Sequence, residues 1–524
     1  MGAKRALAAG VLMLALASGC SSGPDSANKT SNDGRPTSAA TPPPTGAGAG
    51  AADNEWRIPA DRVAGSMELA GYADHVSVRS GEPFRLFVTS SAHAFTVRAF
   101  RIGWYDGAGA KLIWTSPSMP GTSQPKPILT RDRMITAINW SPTTTVQTNG
   151  WPAGSYLLLL RASNGQENYV PIVIRSGSAR GAVLIVSGVN TDEAYNGWGG
   201  YDLYVGGRKH THDQRSLMVT FDRPYGYNPA RGVLHDNLPL VQQAERSGVP
   251  LAYATSVDLQ ADPALLNGAR AIVFGGHDEY WSLPMRQAVT KARDAGTNLA
   301  FLGANSIYRR IRYAADPHGP NRIIVDYKDA GLDPTHNAPD TTVNWRQNPY
   351  PDPENSLVGM LYECHPARGA FTVREPNFFL FAGTGAKVGS AYPGLVGNEA
   401  DRAYPIAGTP ANLQVVAHSP TTCDQRHTFS DATYYTVKSG AGVFATGTIE
   451  WVRALQGPDK EYGVGPAATA FAQKVTSNLF TALAAGPMGR THPAIGNLPA
   501  VRALPTTTTG TGGPIGNSPG PDND

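Results

Sequence analysis

Residues 181–188 read GAVLIVSG, a continuous apolar run closed by small residues. A strand buried on both faces, as in a parallel sheet, carries such a run because neither side of the pleat meets water. Similar runs follow as LAYATS (251–256), RAIVFGG (270–276) and NLAFLGAN (298–305). Helical patterns lie between them. Asn237 is placed to cap a helix through Leu240, Val241 and Ala244 to Gly248. Ser282 is placed to cap another, with Pro284 in its first turn, Met285, Val289 and Ala292 at helical spacing, and Gly296 just past its end. This alternation predicts an α/β domain with a mostly parallel sheet over residues 177–485.

Upstream, residues 55–176 carry short β-branched and aromatic runs such as PFRLFVTS (83–90), FTVRAFRIG (95–103) and GSYLLLLRAS (154–163), separated by turn residues. Alternation in Phe95-Thr96-Val97-Arg98-Ala99-Phe100 suits a strand with one wet face, and the region is predicted to form an antiparallel, immunoglobulin-like β-sandwich. Residues 1–20, MGAKRALAAGVLMLALASGC, set Lys4 and Arg5 ahead of an apolar stretch and end on small residues before Cys20, which predicts an export signal. Ala17-Ser18-Gly19-Cys20 resembles the bacterial lipobox, which implies a lipid anchor on Cys20; plain secretion is the alternative. Residues 21–54 and 486–524, rich in Ser, Thr, Pro, Gly and Ala, are predicted to be a disordered tether and tail.

The 524 residues include 44 Lys+Arg and 41 Asp+Glu, a formal charge of +3, with no basic run beyond pairs such as Arg309-Arg310. That excludes the electrostatic footprint of a nucleic-acid binder. Three cysteines without a CxxC exclude a cysteine-rich zinc site, and Cys364 and Cys423, both in the exported portion, are candidates for a disulfide. Oligomeric state is not legible.

In open sheets functional groups collect at the carboxyl ends of strands. VNTDEAYNGWGGYDLY (189–204) follows the first run, Val257-Asp258 the second, His277-Asp278-Glu279-Tyr280-Trp281-Ser282 the third and Asn305-Ser306 the fourth. The HDEYWS segment places an imidazole, two carboxylates and a phenol on one strand-to-helix turn, a set suited to acid–base or metal chemistry; a capping loop with a solvated acidic pair is the other reading. Tyr195, Asn196, Trp198 and Asp278 are expected to line a pocket. The turn after NLAFLG carries no nucleophilic cysteine and no GxSxG elbow is present, so cysteine and serine nucleophiles are not expected. Glu363 in GMLYECHP and Glu450 in GVFATGTIEW are further acidic candidates. Phenolate and carboxylate oxygens favour a hard trivalent ion such as iron over zinc.

The succession NTDEAYNGWGGYDLY, FDRPY, VDL, GHDEYWS, FLGANSIYRR, LVGMLYE, GLVGNEADR and GTIEW resembles the family named for the C-terminal domain of the large (beta) chain of N,N-dimethylformamidase, over most of residues 180–485. The resemblance implies a glutamine-amidotransferase-like (flavodoxin-like) fold without the cysteine. It also implies a mononuclear iron held by two tyrosines and a glutamate, hydrolysing the amide of a small formamide. Tyr280 matches one tyrosine ligand and Glu363 the glutamate. VLHDNLPLVQQAERSG (233–248) holds no tyrosine where the family supplies the second, which leaves Tyr225, Tyr227 and Tyr253 as neighbours. The expectation is an exported, membrane-anchored, iron-dependent hydrolase of C–N amide bonds in a small polar substrate. Tyr280 and Glu363 bind the ion, His277 or Glu279 moves protons, Asn305 hydrogen-bonds the substrate, and Glu450 is a reserve acid–base group. A catalytically silent cell-surface binding protein for a small polar ligand or glycan is the alternative, with metal-free carboxylate chemistry on a carbohydrate a third reading.

Overall fold

The computed structural model describes residues 55–226, 230 and 232–502, all within the compact unit Ala49–Asp524. Cys20, the export signal, the tether and Tyr227 lie outside the described residues.

Two sheets form the N-terminal part. Leu69–Ala73, Phe84–Ser90 and Thr144–Val146 make an antiparallel three-stranded sheet. Ser77–Arg79, Glu167–Arg175, Gly154–Ala162, Ala94–Ile102 and Ala110–Thr115 make most of a second. Burial in Ala94–Ile102 largely alternates along the strand, and Val97, Ala99, Leu158, Leu160 and Ile172 meet Leu69, Leu86 and Val88 in one core between the sheets.

The remainder is built on a nine-stranded sheet. Its order is Leu251–Thr255, Val183–Ser187, Ala271–His277, Asn298–Ala304, Gly442–Ala445, Arg426–Thr436, Gln414–Cys423, Leu361–Thr372 and Ala391–Arg402. The four pairings among the first five strands are parallel. The four that follow are antiparallel. This overturns the expected flavodoxin-like, mostly parallel α/β domain: the molecule is β-rich, with mixed and antiparallel sheets and only 21% helix. Beyond Asn305 the chain does not return through helices as a doubly wound fold requires. It turns back on itself in antiparallel strands of 10–12 residues, two of which, Gln414–Cys423 and Arg426–Thr436, are joined by a two-residue turn. Arg309–Asp316 and Tyr280–Ser282, just past two parallel strand ends, instead join Met218–Thr220 and Gly319–Val325 in a separate four-stranded sheet.

Leu283–Asp294 begins at Ser282, whose hydroxyl accepts the Met285 N–H, whereas Asn237 does not cap Leu238–Arg246. That helix continues from the π-helical turn Val233–Asn237, and the Asn237 amide bonds Ser155 and Ser187 instead. Close strand approach depends on glycine. A Cβ on Gly303 would lie 1.8 Å from the Gly276 carbonyl oxygen, and Gly276 itself has φ +67°. Cys364 and Cys423 form a disulfide with Cα atoms 6.2 Å apart. Helix Pro466–Ala485 buries Phe471, Val475, Leu479 and Phe480 in the main core, and Asn298 then ties down the chain by donating to Gly486 O and accepting from Met488 N. No helix among the described residues is long and apolar enough to cross a membrane.

Candidate active site

The parallel register sets His277 opposite Ala304, so the turn after each strand delivers His277 and Asn305 side by side. Asn305 adopts φ 56°, a left-handed conformation that Asn tolerates, and its side-chain nitrogen lies 3.3 Å from His277 Nε2. The Asn305 N–H donates to Asp401, whose carboxyl is pushed up to about 7 by burial, against the pull of that hydrogen bond. His277 Nε2 lies 3.4 Å from a carboxylate oxygen of Glu279 and 3.4 Å from one of Glu399. The imidazole therefore sits between two acids brought by different halves of the mixed sheet.

Behind it lies a buried phenol network. Tyr195 and Tyr204 donate toward Glu279, at 2.9 Å and 3.0 Å, and the Tyr280 hydroxyl meets that of Tyr204 at 2.6 Å. Arg309 balances the carboxylate, with Nε 3.4 Å from Glu279 Oε1. Burial, reinforced by the Glu279 charge, holds Tyr204 and Tyr280 well above the ordinary phenol range, so both keep their protons.

Tyr195, Asn196, Tyr225, His277, His365 and Glu399 line an open cleft of about 470 Å³, within the range of small-molecule sites. The other predicted residues take different places. Asn196 reaches the cleft with its amide spent on Glu193 and Pro224 O, while Arg223 grips Glu193 in a fully buried pair that fixes the loop. Trp198 is buried, its indole N–H bonded to Ser66 O and its ring edge-on to Trp140, clasping this loop to the N-terminal sheets. Asp278 is buried against Gly188 with neither carboxyl oxygen hydrogen-bonded, and burial pushes it up to about 7. Glu450 accepts from Arg453, and it too is raised to about 7 by burial. Glu363 accepts hydroxyl protons from Tyr404 and Thr428 and faces Arg402. It shares no hydrogen-bond partner with Tyr280 and does not line the cleft.

Glu399, Tyr204 and Arg309 were not singled out in the sequence. All three stand inside the stretches GLVGNEADR, NTDEAYNGWGGYDLY and FLGANSIYRR, which was the signal available.

A family model described as N,N-dimethylformamidase beta subunit-like, C-terminal, matches residues 96–464, more than half of the chain. The chain belongs to that family. The dimethylformamidase-like match begins in the N-terminal sheets rather than at residue 180, so it takes in both parts of the molecule. The family points to amide hydrolysis as the broad class of activity. No curated protein matches the sequence. Among solved structures, a cycloisomaltooligosaccharide glucanotransferase of Paenibacillus sp. complexed with cycloisomaltoheptaose is similar at 10% identity over 51% of this chain and 35% of that one. Its TM-score of 0.15 carries no argument about fold or substrate.

Two groups of donors are suited to a metal. Asp222, Asp316 and His318 offer ligand atoms within 4.8 Å of one another, but the Arg322 guanidinium is already bonded to Asp222 and holds the place of a cation. The second group is Glu279 with the three phenols. Their contacts of 2.6–3.0 Å are hydrogen bonds as they stand. Arg309 already stands as the cation beside Glu279, and Tyr204 and Tyr280 keep their protons, so an ion there would have to displace both. The all-oxygen set fits a hard ion.

Proposed function

We propose that the chain hydrolyses C–N amide bonds of a small polar substrate held in the His277 cleft. The observation that carries this reading is the placement of His277 Nε2 between Glu279 and Glu399 at the cleft surface. His277 takes a proton from the attacking water, and the flanking carboxylates stabilise the imidazolium until it returns that proton to the departing amine. Asn305 and Asp401 hold the imidazole in register and act through it, as positioning residues. Tyr195 offers a flat, hydrogen-bonding wall to the substrate. Iron, in this reading, would be held by Glu279 with Tyr204, Tyr280 and Tyr195, taking the place of the phenol protons, and would supply Lewis-acid polarisation of the carbonyl.

Amine release from a panel of small N-substituted amides tests the function. His277→Asn is expected to lower kcat/KM by about 10²–10⁴-fold with the fold intact by circular dichroism. Saturable binding of an amide without any turnover would point to the silent binding protein and defeat the hydrolase. For the metal, iron reconstitution is expected to yield a visible phenolate-to-iron band that weakens in Tyr280→Phe. Retention below about 0.1 equivalent of iron would reject it.

We also propose export with a lipid anchor on Cys20. The disulfide supports an oxidising compartment. Radiolabelled palmitate incorporation in the parent and its loss in Cys20→Ala would bear this out; incorporation in neither would refute it.

A further inference from the structure

At the opposite ends of the parallel strands from His277 and Asn305 lies a second cleft, of about 460 Å³. It is walled by Gly268 and Arg270 before one strand, Thr297 before the next, Lys291 in the last turn of helix Leu283–Asp294, and Arg490 beyond helix Pro466–Ala485. Its three ionisable side chains, Arg270, Lys291 and Arg490, are all cations, and no carboxylate lines it. None of the three forms an ion pair within the described residues. Arg223, Arg286 and Arg293 are by contrast paired with carboxylates, whereas these three exposed cations converge on one cleft whose wall carries no acid.

The backbone poses these groups. Gly440, at φ +90°, lets the Arg490 stem cross it: a Cβ there would lie 2.8 Å from Arg490 Cγ and 3.0 Å from Nε. The guanidinium of Arg270 lies beside Gly486, and that of Arg180 against Gly268, adding a fourth cation next to the cleft wall. The carboxyl end of helix Leu283–Asp294 contributes roughly half a negative charge, which cannot neutralise three full positive ones. A ligand with several acceptor oxygens and a localised negative charge complements this set, and guanidinium groups bind phosphate oxygens in matched pairs.

We propose that this cleft is a binding site for a phosphate-bearing anion. Because it opens at the other strand ends, an occupant leaves the His277 cleft accessible, and the site is independent of the hydrolase assignment.

The test titrates the full chain with inorganic phosphate by calorimetry against a chloride control. The same protein is then sedimented with phosphatidylcholine vesicles, with and without phosphatidylglycerol. In Arg270→Gln/Arg490→Gln, phosphate affinity is expected to fall by about ten-fold or more, with melting temperature unchanged. Phosphate binding without extra sedimentation on anionic vesicles identifies a soluble phosphate compound. Extra sedimentation that is lost in the variant and competed by phosphate identifies a lipid headgroup. Absence of both forms of binding, or undiminished phosphate affinity in the variant, overturns the proposal.

Discussion

Asp278 follows His277 in the chain yet lies against Gly188, buried and without a hydrogen-bond partner for either oxygen. Burial raises it to about 7, well above the 3.8 of an unfolded aspartate, so the folded chain binds a proton more tightly than the unfolded one between those values. The contribution of Asp278 to stability therefore falls as pH rises from about 4 to about 7. Replacing Asp278 by Asn removes the ionisation, so the stability advantage of D278N over the parent should grow across that window and level off above it. Urea unfolding at stepped pH measures this, and a pH-independent difference would contradict it. Asp278 shows how far single residues were legible. The HDEYWS segment announced chemistry, but alternation along the turn sends His277 to the cleft and Asp278 into the interior, and no local pattern distinguishes them. Glu399 was hidden for a different reason: it reaches His277 only through the pairing of distant strands.

At the scale of elements, the apolar runs at 183–187, 251–255, 271–277 and 298–304 were legible as strands because a doubly buried strand has no polar face. The helix starting at Ser282 was legible from its cap, whereas Leu238–Arg246 was legible from its apolar spacing alone, its expected cap Asn237 making no capping hydrogen bond. The long antiparallel strands between 361 and 436 were not: they mix His, Glu, Asp and Arg with small residues, and partner strands rather than local sequence decide their pairing. Glycine governs the join between strands. Gly303→Ala would drive a methyl group into the Gly276 carbonyl, and we expect a loss of about 3 kcal/mol in unfolding free energy, with reduced occupancy of the His277–Asn305 contact. A variant with parental stability would show that the two strands can separate without cost. The disulfide closes 59 residues between two paired strands. A loop of that length predicts roughly 4 kcal/mol of stabilisation, so the doubly substituted Cys364→Ala/Cys423→Ala chain should unfold at clearly lower urea concentration. An unchanged midpoint would contradict that.

The molecule as a whole joins N-terminal sheets, a half-parallel and half-antiparallel sheet, and a small four-stranded sheet into one unit, and its candidate site exists only because these meet. The parallel half supplies His277 and Asn305, the antiparallel half supplies Glu399, and the loop bearing Tyr195 is clasped to the N-terminal sheets through Trp198. Resemblance in the sequence had instead pointed to Glu363 as the acid that serves the site, and Glu363 is engaged by Tyr404, Thr428 and Arg402. These two glutamates separate the accounts. Amine release from an N-substituted formamide should fall by about 100-fold or more in kcat/KM for Glu399→Gln and stay within about three-fold of the parent for Glu363→Gln. Full activity in Glu399→Gln together with its loss in Glu363→Gln would contradict the site described.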